Sequence, residues 1–138
     1  MRRPSFLPMI SPHSILVVDD EVELATLFKR FLENQGYDVV SFTDPVLAFE
    51  YFKETFDKHS LIITDLRMPS ICGIDLAKEI RQINSKVKIF LMTAFEIRDL
   101  KDNEDFKQAR IDRLLQKPVR FSDLKQMINE SLNVLDIE

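Results

Sequence analysis

The chain of 138 residues has one cysteine, no excess of basic charge and no long apolar run. Each of these features excludes a structural framework or a kind of partner. A single cysteine, Cys72, excludes an intrachain disulfide framework and favours a reduced, cytoplasmic setting. The formal net charge is −4, so the chain lacks the excess of basic charge that is typical of proteins that bind nucleic acid. No apolar run is long enough to span a bilayer. We therefore expect neither direct nucleic-acid binding nor association with a membrane.

The remaining composition, 45% hydrophobic and 30% charged, is typical of one globular domain. A domain of this size buries about two-thirds of its unfolded surface, which is enough for a substantial core. Residues 1–12 contain three prolines and no signal-peptide apolar run. We therefore expect a flexible N-terminal leader over residues 1–12, followed by one domain over residues 13–138.

Short apolar runs recur along this domain, with helical patterns between them. The runs are SILVV at 14–18, YDVVSF at 37–42, LIIT at 61–64, KVKIFLM at 86–92 and IDRLLQ at 111–116. The helices are expected over residues 21–34, from Pro45 with Asp44 as its cap, over 75–83, over 97–108, and from a cap at Ser122. Five alternations of strand and helix predict an α/β fold, with a doubly wound five-stranded parallel sheet covered by helices on both faces.

Polar side chains collect where the predicted strands end. In an open α/β sheet, ligands bind outside the carboxyl ends of the strands, at the point where the strand order reverses. With the order 2-1-3-4-5, strands one and three are neighbours at that point, so the aspartates that follow them should converge in one cleft. The residues at the strand ends are Asp19, Asp20 and Glu21 after strand one, Asp65 after strand three, Thr93 and Ala94 after strand four, and Lys117 and Pro118 after strand five.

Converging acids need a counter-charge. Two carboxylates about 4 Å apart repel by roughly 4 kcal/mol at an effective dielectric constant of about 20, so three crowded acids favour a bound cation. Oxygen ligands completed by water suit Mg²⁺ better than a soft metal. The ammonium of Lys117 and the hydroxyl of Thr93 would add a positive charge and a hydrogen-bond donor. Such a pocket is suited to a phosphoryl group.

The segments ILVVDDE, LIITDLRMPSICGIDL, LMTA and QKPV, in that order, resemble the response-regulator receiver domain of two-component signalling. The resemblance implies a flavodoxin-like fold and a phosphoprotein that accepts a phosphoryl group from a sensor histidine kinase or a histidine phosphotransfer protein. Such a chain catalyses its own phosphotransfer without being a metabolic enzyme, and then switches a surface bound by a downstream protein target. The resemblance leaves open a stand-alone regulator, a relay carrier, or a part of a longer regulator or hybrid kinase.

The same resemblance implies a magnesium site made from the acidic residues. Asp20 and Asp65 would bind Mg²⁺ directly, together with the backbone carbonyl of Arg67. Asp19 would bind the ion through a water molecule. Asp65 would also be the phospho-acceptor, whose oxygen attacks the phosphorus of a phosphohistidine on the partner. Strand three would thus end on a carboxylate because that carboxylate is the reacting group.

The other strand ends would hold the transferred group. Lys117 would pair with the phosphoryl oxygens or with the carboxylate of Asp65, and the Lys117–Pro118 peptide bond would be cis. Thr93 would hydrogen-bond the phosphoryl group, aided by the backbone N–H of Ala94. The implied readout surface is the face of helix four, strand five and helix five, which is also the candidate surface for a homodimer.

Two positions depart from the family pattern. Leu114 stands where an aromatic ring usually swings inward as the threonine moves, which leaves open how the switch is coupled here. Arg110 stands where glycine is common at the turn into strand five. Arg67 and Phe95 flank the path of the hydrolytic water, and neither offers a carboxamide or carboxylate to orient it. We therefore expect slow self-dephosphorylation.

Two other functions stay open on the sequence. A receiver-like interaction scaffold that is not phosphorylated would normally lose the acidic pair or the lysine, and this chain keeps both. A phosphatase with an aspartyl intermediate would need a general acid two residues after the nucleophile, where Arg67 stands. Away from the site, Cys72 is expected to be an inert loop thiol, and His13 and His59 are expected to be surface residues.

Overall fold

The computed structural model describes residues 13–94, 100 and 102–132, and within them five strands alternate with five helices. The strands are β1 (Ser14–Val18), β2 (Asp38–Phe42), β3 (Leu61–Asp65), β4 (Lys88–Thr93) and β5 (Arg113–Gln116). The helices are α1 (Val22–Asn34), α2 (Pro45–Glu54), α3 (Gly73–Ile83), α4 (Glu104–Ala109) and α5 (Phe121–Leu132). The expected leader over residues 1–12, and residues 97–99 and 101 of the expected fourth helix, lie outside the described residues. Of the helices described, none is long and apolar enough to cross a membrane.

All pairs of neighbouring strands are parallel, and the order in the sheet is β2-β1-β3-β4-β5. This order confirms the predicted doubly wound, flavodoxin-like α/β fold. The strand order reverses between β1 and β3, which pair directly, with Val18 opposite Thr64. Because the two strands run in the same direction, the residues that follow them open into one crevice.

Helices cover both faces of the sheet, and alternate residues of each strand point to opposite faces. One face packs against α2 and α3, and the other packs against α1 and α5. All five residues of β3 are buried. Burying one Val, Leu or Ile side chain contributes about 1.5–3 kcal/mol relative to leaving it exposed. The central strands are therefore held firmly, and their carboxyl ends have fixed positions.

Helix α3 starts earlier in the chain than predicted, and its first residue lies against the end of β3. This helix begins at Gly73, two residues before the predicted start, and the N–H of Gly73 donates to the carbonyl of Leu66 at 2.8 Å. A Cβ at position 73 would lie 2.2 Å from the carbonyl oxygen of Asp65 and 2.8 Å from the side chain of Leu91. Because that space is filled, only glycine permits α3 to approach the backbone that carries Asp65.

The start of α2 agrees with the prediction, and the start of α5 does not. The side chain of Asp44 accepts a hydrogen bond from the N–H of Val46 at 2.9 Å, and Pro45 is the first helical residue. Helix α5 begins at Phe121, so the prediction that Ser122 caps it is wrong. Aromatic packing explains the difference, since the ring of Phe121 stacks on a phenylalanine of α1, Phe31, with 4.4 Å between the centroids.

His59 is buried, so the prediction that it lies on the surface is wrong. Its Nδ1 lies 3.0 Å from the hydroxyl of Ser14, and its Nε2 lies 3.0 Å from the hydroxyl of Thr55. The Thr55 hydroxyl donates to the carbonyl of Tyr51, so it accepts from Nε2–H, and Nδ1 accepts from Ser14. Burial lowers the pKa of His59, and the neutral ring joins the end of α2 to β1. His13 is exposed, as predicted.

A buried arginine fastens the C-terminal end of α4 to α3. The guanidinium of Arg81 donates to the carboxylate of Asp112 and to the backbone carbonyls of Ser85, Val87, Ala109 and Arg110. Asp112 also accepts a hydrogen bond from the N–H of Ile89 at 2.8 Å. Arg110 has a φ of 50°, which explains why glycine suits this turn, and its carbonyl is held by Arg81. We call these contacts of Arg81 and Asp112 the arginine clamp.

Candidate functional site

An open cavity of about 270 Å³ lies at the carboxyl ends of the strands. The structure therefore gathers residues that the sequence places far apart. Asp19 lies deeper, fully buried, and its carboxylate is 3.7 Å from the ammonium of Lys117. The cavity is lined by Asp20 and Glu21 after β1, Asp65, Leu66 and Arg67 at the end of β3, Thr93 and Ala94 at the end of β4, and Lys117 after β5.

Asp65 ends the buried strand β3 and is itself 6% exposed. Its Oδ1 accepts a hydrogen bond from the N–H of Leu66 at 2.9 Å. Its Oδ2 accepts one from the ammonium of Lys117 at 3.0 Å. The carboxylate is thus fixed at the wall of the cavity by one backbone donor and one cation, with its orientation set by β3 and β5 together.

Lys117 supplies the positive charge of the site. Its Nζ lies 3.0 Å from Asp65, 3.7 Å from Asp19 and 3.8 Å from Glu21. Burial alone would lower the pKa of Lys117, but the hydrogen bond to Asp65 and the charges of the three acids outweigh it and raise this pKa overall. The backbone N–H of Lys117 donates to the carbonyl of Thr93 at 2.8 Å, and the Lys117–Pro118 peptide bond is cis, as predicted.

Asp19 is the most confined acid of the site. Its Oδ1 accepts a hydrogen bond from the N–H of Glu21 at 2.9 Å. Its Oδ2 is buried and has no hydrogen-bond partner among the described residues. Burial is the largest influence and raises the pKa of Asp19, against the lowering effects of the Glu21 N–H and of Lys117. A buried carboxylate oxygen without a partner is costly, and a cation or a bound water would satisfy it.

The carboxylates that could hold a metal ion are those of Asp19, Glu21 and Asp65, whose ligand atoms lie within 4.8 Å of one another. This set of oxygens, together with the missing hydrogen bond at Oδ2 of Asp19, fits a hard divalent cation such as Mg²⁺. Asp20 is half-buried and lines the cavity, but it is not a member of this group. Its predicted direct contact with the ion stays a prediction.

Glu21 was not among the predicted site residues. The signal for it was present, because it continues the acidic run that follows β1. Its role was obscured by its position, which is the residue before α1, where an acid is ordinarily explained as a helix cap. The structure shows that its carboxylate faces Lys117 instead, at 3.8 Å.

Thr93 and Ala94 stand at the end of β4, on the wall of the cavity opposite β1. Thr93 is buried at the last position of its strand, and Ala94 is exposed. Phe95, which follows them, lies outside the described residues. Leu114, at the position where the family usually has an aromatic residue, is half-buried in β5 opposite Leu91.

This arrangement has the parts needed to accept an electrophilic group. A fixed carboxylate, that of Asp65, faces an open cavity with an ammonium beside it. The excess of acids over cations leaves negative charge that a divalent ion would balance. A phosphoryl group bound on Asp65 would meet the ammonium of Lys117 at the rim.

The response regulator receiver domain family matches this chain over residues 15–129. The response regulator receiver protein CpdR of Brucella abortus is 32% identical over 118 residues, which cover 86% of this chain and 95% of CpdR. The transcriptional regulatory protein ZraR of Klebsiella oxytoca is 34% identical over 119 residues, which cover 86% of this chain and 26% of ZraR. This chain therefore spans nearly the whole of one relative and about a quarter of the other.

Solved structures agree with this assignment. The response regulator protein TrrA from Thermotoga maritima, in complex with Mg²⁺-BeF, is 29% identical with a TM-score of 0.75, covering 86% of this chain and 98% of TrrA. The family match extends over most of the chain and includes every strand end that forms the cavity. The chain belongs to the response regulator receiver domain family of two-component signalling.

Proposed function

We propose that the chain is a phospho-accepting receiver that takes a phosphoryl group onto Asp65 from a sensor histidine kinase or a histidine phosphotransfer protein, with Mg²⁺ as cofactor. The observation that carries this proposal is the 3.0 Å contact between Asp65 and Lys117, at a cavity next to the Asp19 Oδ2, which accepts no hydrogen bond from the described residues. A lone carboxylate at the end of a core strand would be destabilising. With an ammonium and an open cavity beside it, the carboxylate has the surroundings of a nucleophile.

In the transfer step, an oxygen of Asp65 forms a bond to phosphorus while the bond from phosphorus to the donor histidine nitrogen breaks. The electron pair of the broken bond stays on the imidazole. Lys117 balances the charge of the phosphoryl oxygens, and the Thr93 hydroxyl and the Ala94 N–H donate hydrogen bonds to them. Bound Mg²⁺ would neutralise further negative charge on the same oxygens.

The residues that would hold Mg²⁺ come from both acidic segments. Asp20 and Asp65 would bind the ion directly, together with the backbone carbonyl of Arg67, and Asp19 would bind it through a water molecule. The Oδ2 of Asp19, which accepts no hydrogen bond from the described residues, supports this assignment, since a bound ion or its water would satisfy it. The TrrA structure in complex with Mg²⁺-BeF supports the same choice of metal for a related chain.

Phosphorylation would act by shifting an existing equilibrium. It adds about −1.5 to −2 charge at neutral pH. Moving a population from about 1:99 to 99:1 takes about 5.5 kcal/mol. Two or three hydrogen bonds to the charged group, at about 1.5–3 kcal/mol each, supply that. The surface that responds is the face of α4, β5 and α5, where a downstream protein target or a second copy of the chain would bind. Because the arginine clamp holds the C-terminal end of α4, we expect the rearrangement at its N-terminal side.

The lifetime of the phosphorylated form is expected to be long, because neither Arg67 nor Phe95 orients a hydrolytic water. Arg67 is exposed and lines the cavity, and Phe95 lies outside the described residues. Phosphoryl decay measured in the wild type and in Phe95→Glu tests this expectation. Equal lifetimes would reject it.

A receiver-like scaffold that works without phosphorylation is the second candidate function. The observation that favours it is Leu114, which is half-buried where an aromatic ring usually couples the site to the surface. The full set of Asp19, Asp65 and Lys117 weighs against it, since a scaffold has no need of a costly buried acid.

One experiment separates these functions. The protein is incubated with acetyl phosphate and Mg²⁺, and its intact mass is measured over time. We expect an acid-stable, base-labile phosphoryl increment that is absent in Asp65→Asn and present in Asp57→Asn, which removes an exposed acid far from the cavity. No increment in any of the proteins would favour the scaffold. Continuous phosphate release from varied phosphoesters would favour a phosphatase.

A further inference from the structure

We propose that Glu21 is an electrostatic gate at the phosphorylation site. Its carboxylate pairs with the ammonium of Lys117 on the solvent side and repels phosphodonors that are small anions. The proposal rests on the proposed function of Asp65 as phospho-acceptor. It adds a positioning residue that selects between kinds of donor. Its basis is the placement of the Glu21 carboxylate relative to Lys117 and to the mouth of the cavity.

Glu21 occupies the residue before α1 but does not cap that helix. Within the described residues its side chain makes no capping hydrogen bond to the first turn. Its own backbone N–H is bound by Oδ1 of Asp19 at 2.9 Å. Its Oε1 is instead 3.8 Å from Nζ of Lys117. The conformation at the end of β1 therefore turns this carboxylate toward the site and leaves it uncommitted to the helix.

Exposure distinguishes Glu21 from the other two acids that face Lys117. The side chain of Glu21 is 63% exposed, whereas those of Asp19 and Asp65 are 0% and 9% exposed. The buried pair is fixed by the strands that carry it. An exposed carboxylate can swing into water at little cost, so Glu21 is the partner of Lys117 that arriving phosphoryl oxygens would displace.

Glu21 also stands at the boundary between the cavity and a neighbouring apolar groove. This groove is lined in part by Leu24, Leu27, Phe28 and Phe121, and it shares Glu21, Ala94 and Lys117 with the cavity. A donor that enters from this side passes the Glu21 carboxylate. A small anionic donor brings nothing to offset that charge, whereas a protein donor meets it with side chains of its own.

The test uses acetyl phosphate, which is a small dianion at neutral pH. In this reaction an oxygen of Asp65 bonds to phosphorus, the bond from phosphorus to the acetyl oxygen breaks, and acetate leaves with the electron pair. At low ionic strength and saturating Mg²⁺, we expect Glu21→Gln to raise the rate constant about 3- to 10-fold, because one repelling charge is lost. The gain should shrink as salt rises, since the screening length falls from about 30 Å at 0.01 M to about 3 Å at 1 M.

Two variants serve as controls. Glu23→Gln makes the same change of charge in the first turn of α1, on an exposed side chain outside the cavity lining, and should react as the wild type does. Glu21→Asp keeps the charge and should stay closer to the wild type than to Glu21→Gln. Phosphoramidate, a donor of lower negative charge, should show a smaller ratio between Glu21→Gln and the wild type.

Several outcomes would overturn the inference while the proposed function stands. They are equal rate constants for Glu21→Gln and the wild type at every salt concentration, an acceleration that salt does not reduce, or the same acceleration in Glu23→Gln. A wild-type chain that never accepts a phosphoryl group on Asp65 would overturn the proposed function and the gate together.

Discussion

The ammonium of Lys117 lies 3.0 Å from Oδ2 of Asp65, although the two residues are 52 positions apart in the chain. The parallel order of β3, β4 and β5 brings them together, because each stands at the carboxyl end of its strand. The pKa of Lys117 is raised overall, so its ammonium keeps its proton at neutral pH. The resting site is therefore an ion pair within an excess of negative charge, and a metal ion or a phosphoryl group would rearrange it.

Asp19→Asn should raise the free energy of unfolding of the metal-free protein by about 1 kcal/mol, because it removes a buried charge whose Oδ2 accepts no hydrogen bond from the described residues. The ion pair with Lys117 at 3.7 Å offsets the cost of burying this charge only in part. The measurement is urea unfolding in the presence of a chelator. Added Mg²⁺ should stabilise the wild type more than the variant and so narrow the difference. Asp57→Asn, on an exposed residue, should change stability by less than about 0.5 kcal/mol. A clear loss of stability for Asp19→Asn in chelator would mean that this carboxylate is not crowded.

Gly73→Ala should lower the free energy of unfolding by about 1–3 kcal/mol and slow phosphorylation, because the new Cβ collides with the carbonyl of Asp65 and pushes β3 and α3 apart. Gly36→Ala is the control. Gly36 has a φ of 97°, and no described atom outside its immediate neighbours lies within 4 Å of the added Cβ. Its cost should come from backbone strain alone, with phosphorylation unchanged. Equal effects of both variants on phosphorylation would contradict the close approach at Gly73.

Arg81→Lys should lower the free energy of unfolding by about 3 kcal/mol, since it removes the guanidinium that donates to Asp112 and to several backbone carbonyls. Arg113→Lys is the matched control, because Arg113 pairs with Glu130 on the surface at 2.8 Å. That pair should contribute less than about 1 kcal/mol. Thermal or urea unfolding compares the two variants, and similar losses would argue that the arginine clamp does not hold α4.

The stability of the protein should fall as the pH drops below 6.5, the usual pKa of histidine, because burial lowers the pKa of His59. The folded state then binds this proton less readily than the unfolded state, so the contribution is present above pH 6.5 and is lost as the pH decreases. Asp38 opposes the shift and Lys58 adds to it. Urea unfolding between about pH 5 and 7 measures the slope. His59→Gln should flatten it and His13→Gln should not, and an unchanged slope in His59→Gln would contradict the buried neutral ring.

The strands and their order were predictable because the physics that specifies them is local and periodic. A central strand that is buried along its whole length produces an apolar run such as LIIT, and alternating helices impose the parallel arrangement. The Asp44 cap followed by Pro45 was predictable for the same reason. The convergence of Asp19, Asp65 and Lys117 was predictable from the strand order and the family resemblance together.

The residues whose environment was not predicted correctly depend on contacts between distant segments of the chain. His59 is buried and hydrogen-bonded to Ser14, 45 positions away, and no local sequence pattern reveals a contact of that kind. Ser122 looked like a cap, but the stacking of Phe121 on Phe31 sets the start of α5. Glu21 was predicted only as the first residue of the first helix, and only the position of Lys117 shows that its carboxylate faces the site.

The most direct test of the central claim is to identify the phosphorylated residue. The protein is treated with acetyl phosphate and Mg²⁺, the acyl phosphate is reduced with borohydride, and peptides are sequenced by mass spectrometry, since the reduction converts a phosphorylated aspartate to homoserine. We predict homoserine at position 65, and none there when Mg²⁺ or the phosphodonor is omitted. Homoserine at another acidic position, or its absence from every peptide of the treated protein, would contradict the account.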